Sequence, residues 1–413
     1  MQFGFMKPSL SKSILAAALL LAACTQMPLM HQQASNLPTS QGSIVTEAPV
    51  APPKGMIDAG APSVKVGLLI PLSGDSVAVG NAMLDAATMA VSDAYLTTPS
   101  DQIHSRIILI PKDTGQTAAE TKVNAQQAID QGATFIIGPL FSQSVAAVAP
   151  IAKEHHIKML TFSNNSAVAE DGVYVFGFLP EQQVSRMAEY AYLHNLTHIA
   201  LLAPNDAYGE KIKTKLLESY SQKGGTVAPA ELYAPSPTNI NAAVARLSQA
   251  YVNAKDDRRF DAIFIAEGGA QLKNIIAALK RSKIDLKKVK LLGTGQWDDA
   301  DIATIPEMEG AWFPSAPPES HQIFEKRFFA AYGYKPVRLA SLAYDAVTLA
   351  SALTMATPGT GITKEAITNP AGFIGPANSL YRLDPDGTSE RKLGIMEVTD
   401  SGFKVIDPAP KHF

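Results

Sequence analysis

From Val64 onward, short β-branched apolar runs alternate with longer stretches whose apolar residues recur every three or four positions. That is the pattern of strands alternating with amphipathic helices. Strands are predicted over 64–70, 107–110, 134–137 and 157–162, with helices near 79–95 and 118–130 and a third opened by Ser142 and Ser144. In the first of these helices Met83, Ala86, Ala87, Ala90, Val91 and Ala94 share one face. Strands separated by helices of this length predict a parallel sheet covered on both sides. The stretch GATFIIGPLFSQSVAAVAP is central, because Gly138-Pro139 lets neither the strand before it nor an immediate helix run through.

An extended segment over 173–180 has no helix before it, and then the alternation restarts. A helix over 181–194 gathers Val184, Met187, Ala188, Ala191 and Tyr192, and strands follow at 199–203, 226–233, 261–266 and 289–293. Leu272, Ile275, Ile276 and Leu279 make one stripe between the last two. The simplest account is a second α/β lobe. Residues 311–313 are read as extended without partners, followed by helices near 320–332 and 339–355, an irregular segment over 373–383, and a hairpin of 394–398 with 403–406 turning at Asp400-Ser401-Gly402. The expected class is α/β with two doubly wound parallel-sheet lobes. The expected division is 63–179 plus 312–370 for one lobe and 180–311 plus 371–413 for the other.

The N-terminus follows a different pattern. Lys7 and Lys12 precede an apolar run over 14–23 that meets Cys24, which reads as a secretory signal too short for a membrane span. Leu21-Ala22-Ala23-Cys24 resembles the bacterial lipobox, whose cysteine carries a diacylglyceryl group, and Cys24 is the single cysteine of the chain. A lipidated Cys24 leaves no disulfide, so the core alone must hold the fold. Residues 25–62 are rich in Pro, Gln, Ser and Ala and read as a disordered tether; roughly 38 residues give an r.m.s. reach of about 35 Å. Thr25 stands where an Asp would retain a Gram-negative lipoprotein at the inner membrane, which implies outer-membrane sorting in such a cell.

Composition narrows the chemistry. With 413 residues, 46% of them hydrophobic, and a net charge of −3, the chain can bury a large core and has no basic stripe for nucleic acid. Gly74 to Gly80 lacks the lysine of a phosphate loop, and neither G-x-S-x-G nor H-E-x-x-H occurs. The side chains of His155-His156 point apart at a helix end. No catalytic residue, metal site or cofactor is therefore assigned, and a binding protein is expected rather than an enzyme.

Five stretches in order carry a family resemblance: VGLLIPLSG with Gly80 opening the first helix, GPLFSQS, TFSNNS after the fourth strand, PNDAYGE after the first strand of the second lobe, and SLAYDAV late in the chain. Over 64–408 the sequence resembles the type 1 periplasmic binding fold of leucine- and branched-chain amino-acid-binding proteins, in which three crossings join the lobes. Within that family it is most similar to lipid-anchored penicillin-binding-protein activators, although it has no room for their helical repeat domain.

The resemblance implies that Ser142, Ser144, Ser163 and Asn164 hold a ligand's carboxylate and amine, and that Tyr208 closes over it. Asn205, Asp206 and Gly209 also suit ordinary turn and helix-start chemistry. A bound ammonium needs a carboxylate. Glu267 follows a strand directly and is the candidate, whereas relatives place their acid after the next strand, where this chain has Gly295-Gln296-Trp297-Asp298-Asp299. Asp298 could substitute if that loop turns inward.

Two functions from different classes follow. One is a solute-binding protein that presents a small polar, amino-acid-like ligand to the membrane subunits of an ABC importer. The other is an outer-membrane activator of a peptidoglycan synthase. Membrane attachment through the lipid anchor is common to both.

Overall fold

The computed structural model describes Val50 and residues 62–98, 103–255 and 258–413; the signal, Cys24 and the body of the tether lie outside the described residues. The first sheet is all parallel, with strands β1 (Ser63–Ile70), β2 (Arg106–Asp113), β3 (Phe135–Ile137), β4 (Lys158–Thr161) and β5 (Val173–Val175) in the order β2-β1-β3-β4-β5. Helices α1 (Val77–Leu96), α2 (Ala118–Asp130) and α3 (Ser142–Glu154) connect β1 to β4. The extended segment after β4 is thus a fifth strand as well as a crossing.

After α4 (Pro180–Leu193), strands β6 (His198–Pro204), β7 (Thr226–Tyr233), β8 (Ala262–Ile265), β9 (Lys290–Leu292) and β10 (Trp312–Ser315) alternate with α5 (Ala207–Ser221), α6 (Pro237–Asn253), α7 (Gly269–Lys280) and the short α8 (Ala300–Ala303). Helices α9 (Pro318–Tyr332), α10 (Ala340–Ala356) and α11 (Lys364–Ile367) then lead to β11 (Phe373–Gly375), β12 (Ser379–Leu383), β13 (Ser389–Arg391), β14 (Gly394–Thr399) and β15 (Gly402–Asp407). The second sheet runs β15-β14-β10-β9-β8-β6-β7, and β11-β12-β13 form a small antiparallel sheet.

Two expectations need correction. Residues 312–315 are not unpartnered: Trp312 pairs with Leu292 of β9, and the whole of β10 pairs antiparallel with β14. They therefore belong to the second lobe. Conversely Ala377, Tyr381 and Leu383 are buried in the core shared by β1, α1 and α10, so the small sheet belongs to the first lobe. The crossings accordingly fall at residues 177–179, 316–317 and 392–393 instead of at 312 and 371.

Helices α1 and α10 lie against each other in the first core, where Ala86, Ala87 and Ala90 on one and Ala343, Ala346 and Ala350 on the other permit close approach. The two lobes repeat one device at the end of their first strand. A Cβ on Gly80 in α1 would stand 1.7 Å from the Pro71 carbonyl oxygen, and a Cβ on Gly209 in α5 would stand 1.8 Å from that of Pro204. Only a residue without Cβ lets each helix start press on its strand end.

Candidate functional site

Both sheets end on one cleft, 750 Å³ in volume, at the carboxyl ends of their parallel strands. From the first lobe come Leu140 and Phe141 after β3, Phe162 and Asn164 after β4, and Phe178 after β5. The second lobe supplies Tyr208 on α5 after β6, Gln296 and Asp298 after β9, and Ser315 at the end of β10. Pro180 and Gln183 of α4, His321 and Glu325 of α9, and the loop over 335–339 before α10 complete the wall. This is where ligands bind in open α/β sheets, because strand-end turns are free to vary while the sheet fixes their positions.

Of the six ligand-site residues expected from sequence, the fold brings Asn164 and Tyr208 to the cleft wall. Ser142 opens α3 beside Phe141 and is not among the lining residues. Ser144 is buried, with its hydroxyl 2.9 Å from that of Thr121 on α2. Two residues along a helix are about 200° apart around its axis, so the two serines cannot face the same way. Ser163 is buried too, and its hydroxyl oxygen accepts from the Asn165 N–H at 3.1 Å. The Glu267 carboxylate accepts from the Tyr233 hydroxyl at 3.0 Å and is absent from the lining, while burial raises its pKa. Asp206 takes the duller role, capping α5 by accepting from the Gly209 N–H at 2.9 Å.

The cleft holds ionised groups in pairs. Arg338, from the first lobe, reaches Asp298, from the second, with Nε 3.2 Å from Oδ2. Asp298 also accepts from the Ser315 hydroxyl at 2.7 Å. Nη1 of Arg338 donates to the Asn378 oxygen at 2.6 Å and to the Ser341 hydroxyl at 2.7 Å, and stands 3.2 Å from Nδ1 of His321. Nε2 of the same imidazole is 3.4 Å from Glu325, which also has Lys335 at 3.6 Å. His321 and Lys335 together hold the Glu325 carboxyl below its ordinary range. Asp298 thus does turn inward, but its charge is already matched.

Apolar side chains, uncharged polar groups and Asp299 make up the remaining wall. The Tyr208 hydroxyl accepts from Gln296 Nε2 at 2.8 Å and lies 3.4 Å from Thr294 Oγ1, and burial raises the phenol pKa. Gln183 accepts from the Gly295 N–H at 2.7 Å. Lys211 on α5 bridges the lobes at a second place, contacting Asn165 at 3.0 Å, Ser166 at 3.2 Å and Glu181 at 3.0 Å.

At the first crossing, Phe178 lies against two guanidinium groups. Arg338 lies 4.7 Å and Arg391 5.3 Å from the Phe178 ring centroid, and Arg391 also stacks on Phe176 and Tyr381. Aromatic faces attract cations, and here they replace part of the water that burial removes. Burial pulls Arg391 down to about 10, so it stays charged at neutral pH, and pushes the Asp345 carboxyl up to about 6 against donors from Ala377 and Asn378. Sequence reasoning missed Gln183, Arg338, His321, Glu325 and Lys335. All five lie on helices or between them, away from the strand-end turns that drew attention.

Comparison with known proteins agrees with this geometry. A family model described as periplasmic binding protein matches residues 63–402. An uncharacterized protein of Rickettsia prowazekii is 27% identical over 237 residues, 57% of this chain, and the chain spans only 61% of that protein's length. Among solved structures, an ABC transporter substrate-binding protein from Sphaerobacter thermophilus superposes with a TM-score of 0.70 at 20% identity, covering 85% of this chain and 98% of its own. A solute-binding protein from Rhodopseudomonas palustris in complex with 3,4-dihydroxybenzoic acid gives a TM-score of 0.65 at 18% identity over 85% of this chain and 97% of its own. LivJ from Streptococcus pneumoniae, in complex with isoleucine, gives 0.62 at 20% identity, covering 84% and 100%. These likenesses establish the type 1 two-lobed fold.

Proposed function

Because the chain belongs to the periplasmic binding protein family, we propose that it is a solute-binding protein that takes a small molecule between its lobes and presents it to the membrane subunits of an ABC importer. The observation that carries this reading is the 750 Å³ cleft lined from both lobes at their strand ends. Enclosure between two bodies that can part and close lets a ligand be desolvated on all sides and released by opening. The solved neighbours that hold benzoate-type acids or isoleucine support the same use of the cleft. Asn164 and Tyr208 remain the proposed contacts from the sequence, joined by Gln183 and Gln296. Cys24 is proposed as the lipid anchor; Cys24→Ala should abolish incorporation of labelled lipid, and retained label would refute it.

Native mass spectrometry of the full chain tests the function. The wild type should carry a small-molecule adduct that Asn164→Ala with Tyr208→Phe loses while staying folded. If the wild type carries no adduct, and both proteins stimulate a purified glycan polymerase-transpeptidase equally, solute binding fails and the synthase activator takes its place.

A further inference from the structure

We propose that the cleft selects an uncharged ligand larger than a free amino acid, with an apolar face and with hydroxyl or amide groups along its edge. This rests on the solute-binding reading and assigns the chemical class that the same cleft accepts.

Two of the three acids in the wall are paired with cations. Asp298 and Arg338 pair at 3.2 Å, and Glu325 has Lys335 at 3.6 Å and His321 at 3.4 Å. Asp299 has no cation partner among the described residues; it is exposed, so its charge stays in contact with water, and it caps α8 by accepting from the Asp301 N–H. A zwitterion entering the cleft would need one spare cation and one spare anion, and each end left without them would carry an uncompensated desolvation cost. Arg338 keeps one nitrogen, Nη2, without a partner among the described residues, which could attract a carboxylate. That carboxylate would, however, arrive beside Asp298, which already shares the guanidinium, and within the field of Asp345 and Glu325. The local balance of charge opposes it.

Neutral groups have the opposite standing. The Asn164 amide has no partner among the described residues and is exposed in the wall. Gln183 uses its oxygen on Gly295 and keeps its NH₂, while Gln296 uses its NH₂ on Tyr208 and keeps its oxygen. Two of these amides are thus already oriented by one bond each and offer one further donor and one further acceptor. Phe141, 47% exposed, adds an apolar ring to the same wall. A volume of 750 Å³ lies in the upper part of the range for ligands of drug size. An N-acetylated neutral sugar has this combination of amide, hydroxyls and an apolar ring face.

The test determines the charge of whatever the native protein carries. Full-length protein is purified without denaturation, the bound molecule is released and identified, and the emptied protein is then melted with leucine, benzoate or di-N-acetylchitobiose at millimolar concentration. The inference expects an uncharged molecule in the extract, or stabilisation by the neutral sugar alone. It also expects Asn164→Ala and Gln296→Ala each to weaken that binding about tenfold, the loss of one buried hydrogen bond. A zwitterionic or anionic molecule in the extract, or stabilisation by leucine or benzoate, overturns the ligand class and leaves solute binding standing. An empty extract together with no stabilisation by any probe overturns both.

Discussion

Replacing Arg338 by Met removes an ion pair that joins the lobes in the cleft wall, and its cost can be worked from the contacts. Arg338 donates to Asp298 at 3.2 Å, Ser341 at 2.7 Å and Asn378 at 2.6 Å. Breaking a fully buried pair from one side costs roughly 3–5 kcal/mol. Here the side chains keep 22% and 17% of their exposure, and Asp298 retains its bond from Ser315, so the lower end applies and Arg338→Met should cost about 3 kcal/mol. Asp298→Asn keeps an acceptor for Ser315 and should cost about 1–2 kcal/mol. Since each variant removes the same contact, the double variant should cost less than the sum by about 1–2 kcal/mol. Urea titration of the full chain, followed by far-UV dichroism and by tryptophan fluorescence, gives all three values. Coincident transitions are needed for them to be free energies. Costs that add within about 0.3 kcal/mol would refute the contact as an energetic link between lobes.

Two further predictions concern the frame. Gly80→Ala and Gly209→Ala should each destabilise by about 1–3 kcal/mol or more, because the added methyl meets backbone carbonyls that end buried strands; a shift in urea midpoint worth under about 0.5 kcal/mol would count against close approach as their purpose. The Asp345 carboxyl, pushed by burial up to about 6 from its ordinary 3.8, binds its proton more tightly in the folded chain than in the unfolded one. Its contribution is therefore fully present below about pH 4 and is lost as pH rises through about 6, by at most roughly 3 kcal/mol. Asp345→Asn should flatten the stability profile between pH 4 and 6 relative to wild type, and an unchanged slope would place the titration elsewhere.

Much of the frame was legible because buried parallel strands must be continuous apolar runs and the helices between them must show a stripe. Leu68, Leu69 and Ile70, or Ile263, Phe264 and Ile265, are fully buried and leave little else for their sequence to be. The strand that was misplaced breaks this rule. Trp312-Phe313-Pro314-Ser315 contains a proline and a serine, and it tolerates them because β10 is held by an antiparallel partner from about eighty residues later, Gly394–Thr399. Likewise Ser379–Leu383 and Ser389–Arg391 are short and polar, and they acquire strand structure from pairing with each other over the first core. Pairing between distant segments is a property of the folded chain, and no local period announces it.

The site divides along the same line. Asn164 and Tyr208 were implied by the family resemblance, and both stand after parallel strands at the cleft wall. One of Ser142 and Ser144 could have been excluded in advance, since only one of two serines separated by a single residue in a helix can face a given direction. Glu267 could not, because the Tyr233 hydroxyl that occupies it arrives from 34 residues away. The decisive features are of this second kind. Asp298 and Arg338 are 40 residues apart, and Glu325 meets Lys335 across a bend between α9 and α10. A sequence lists the charges and leaves their pairing open, yet it is the pairing that decides what remains for a ligand. With the pairs closed, an acidic residue in the expected loop no longer implies an ammonium, and the amides of Asn164, Gln183 and Gln296 become the groups through which this cleft can discriminate. The substitution Gln296→Glu would place a carboxylate beside the Tyr208 hydroxyl, where the wild type offers only an amide.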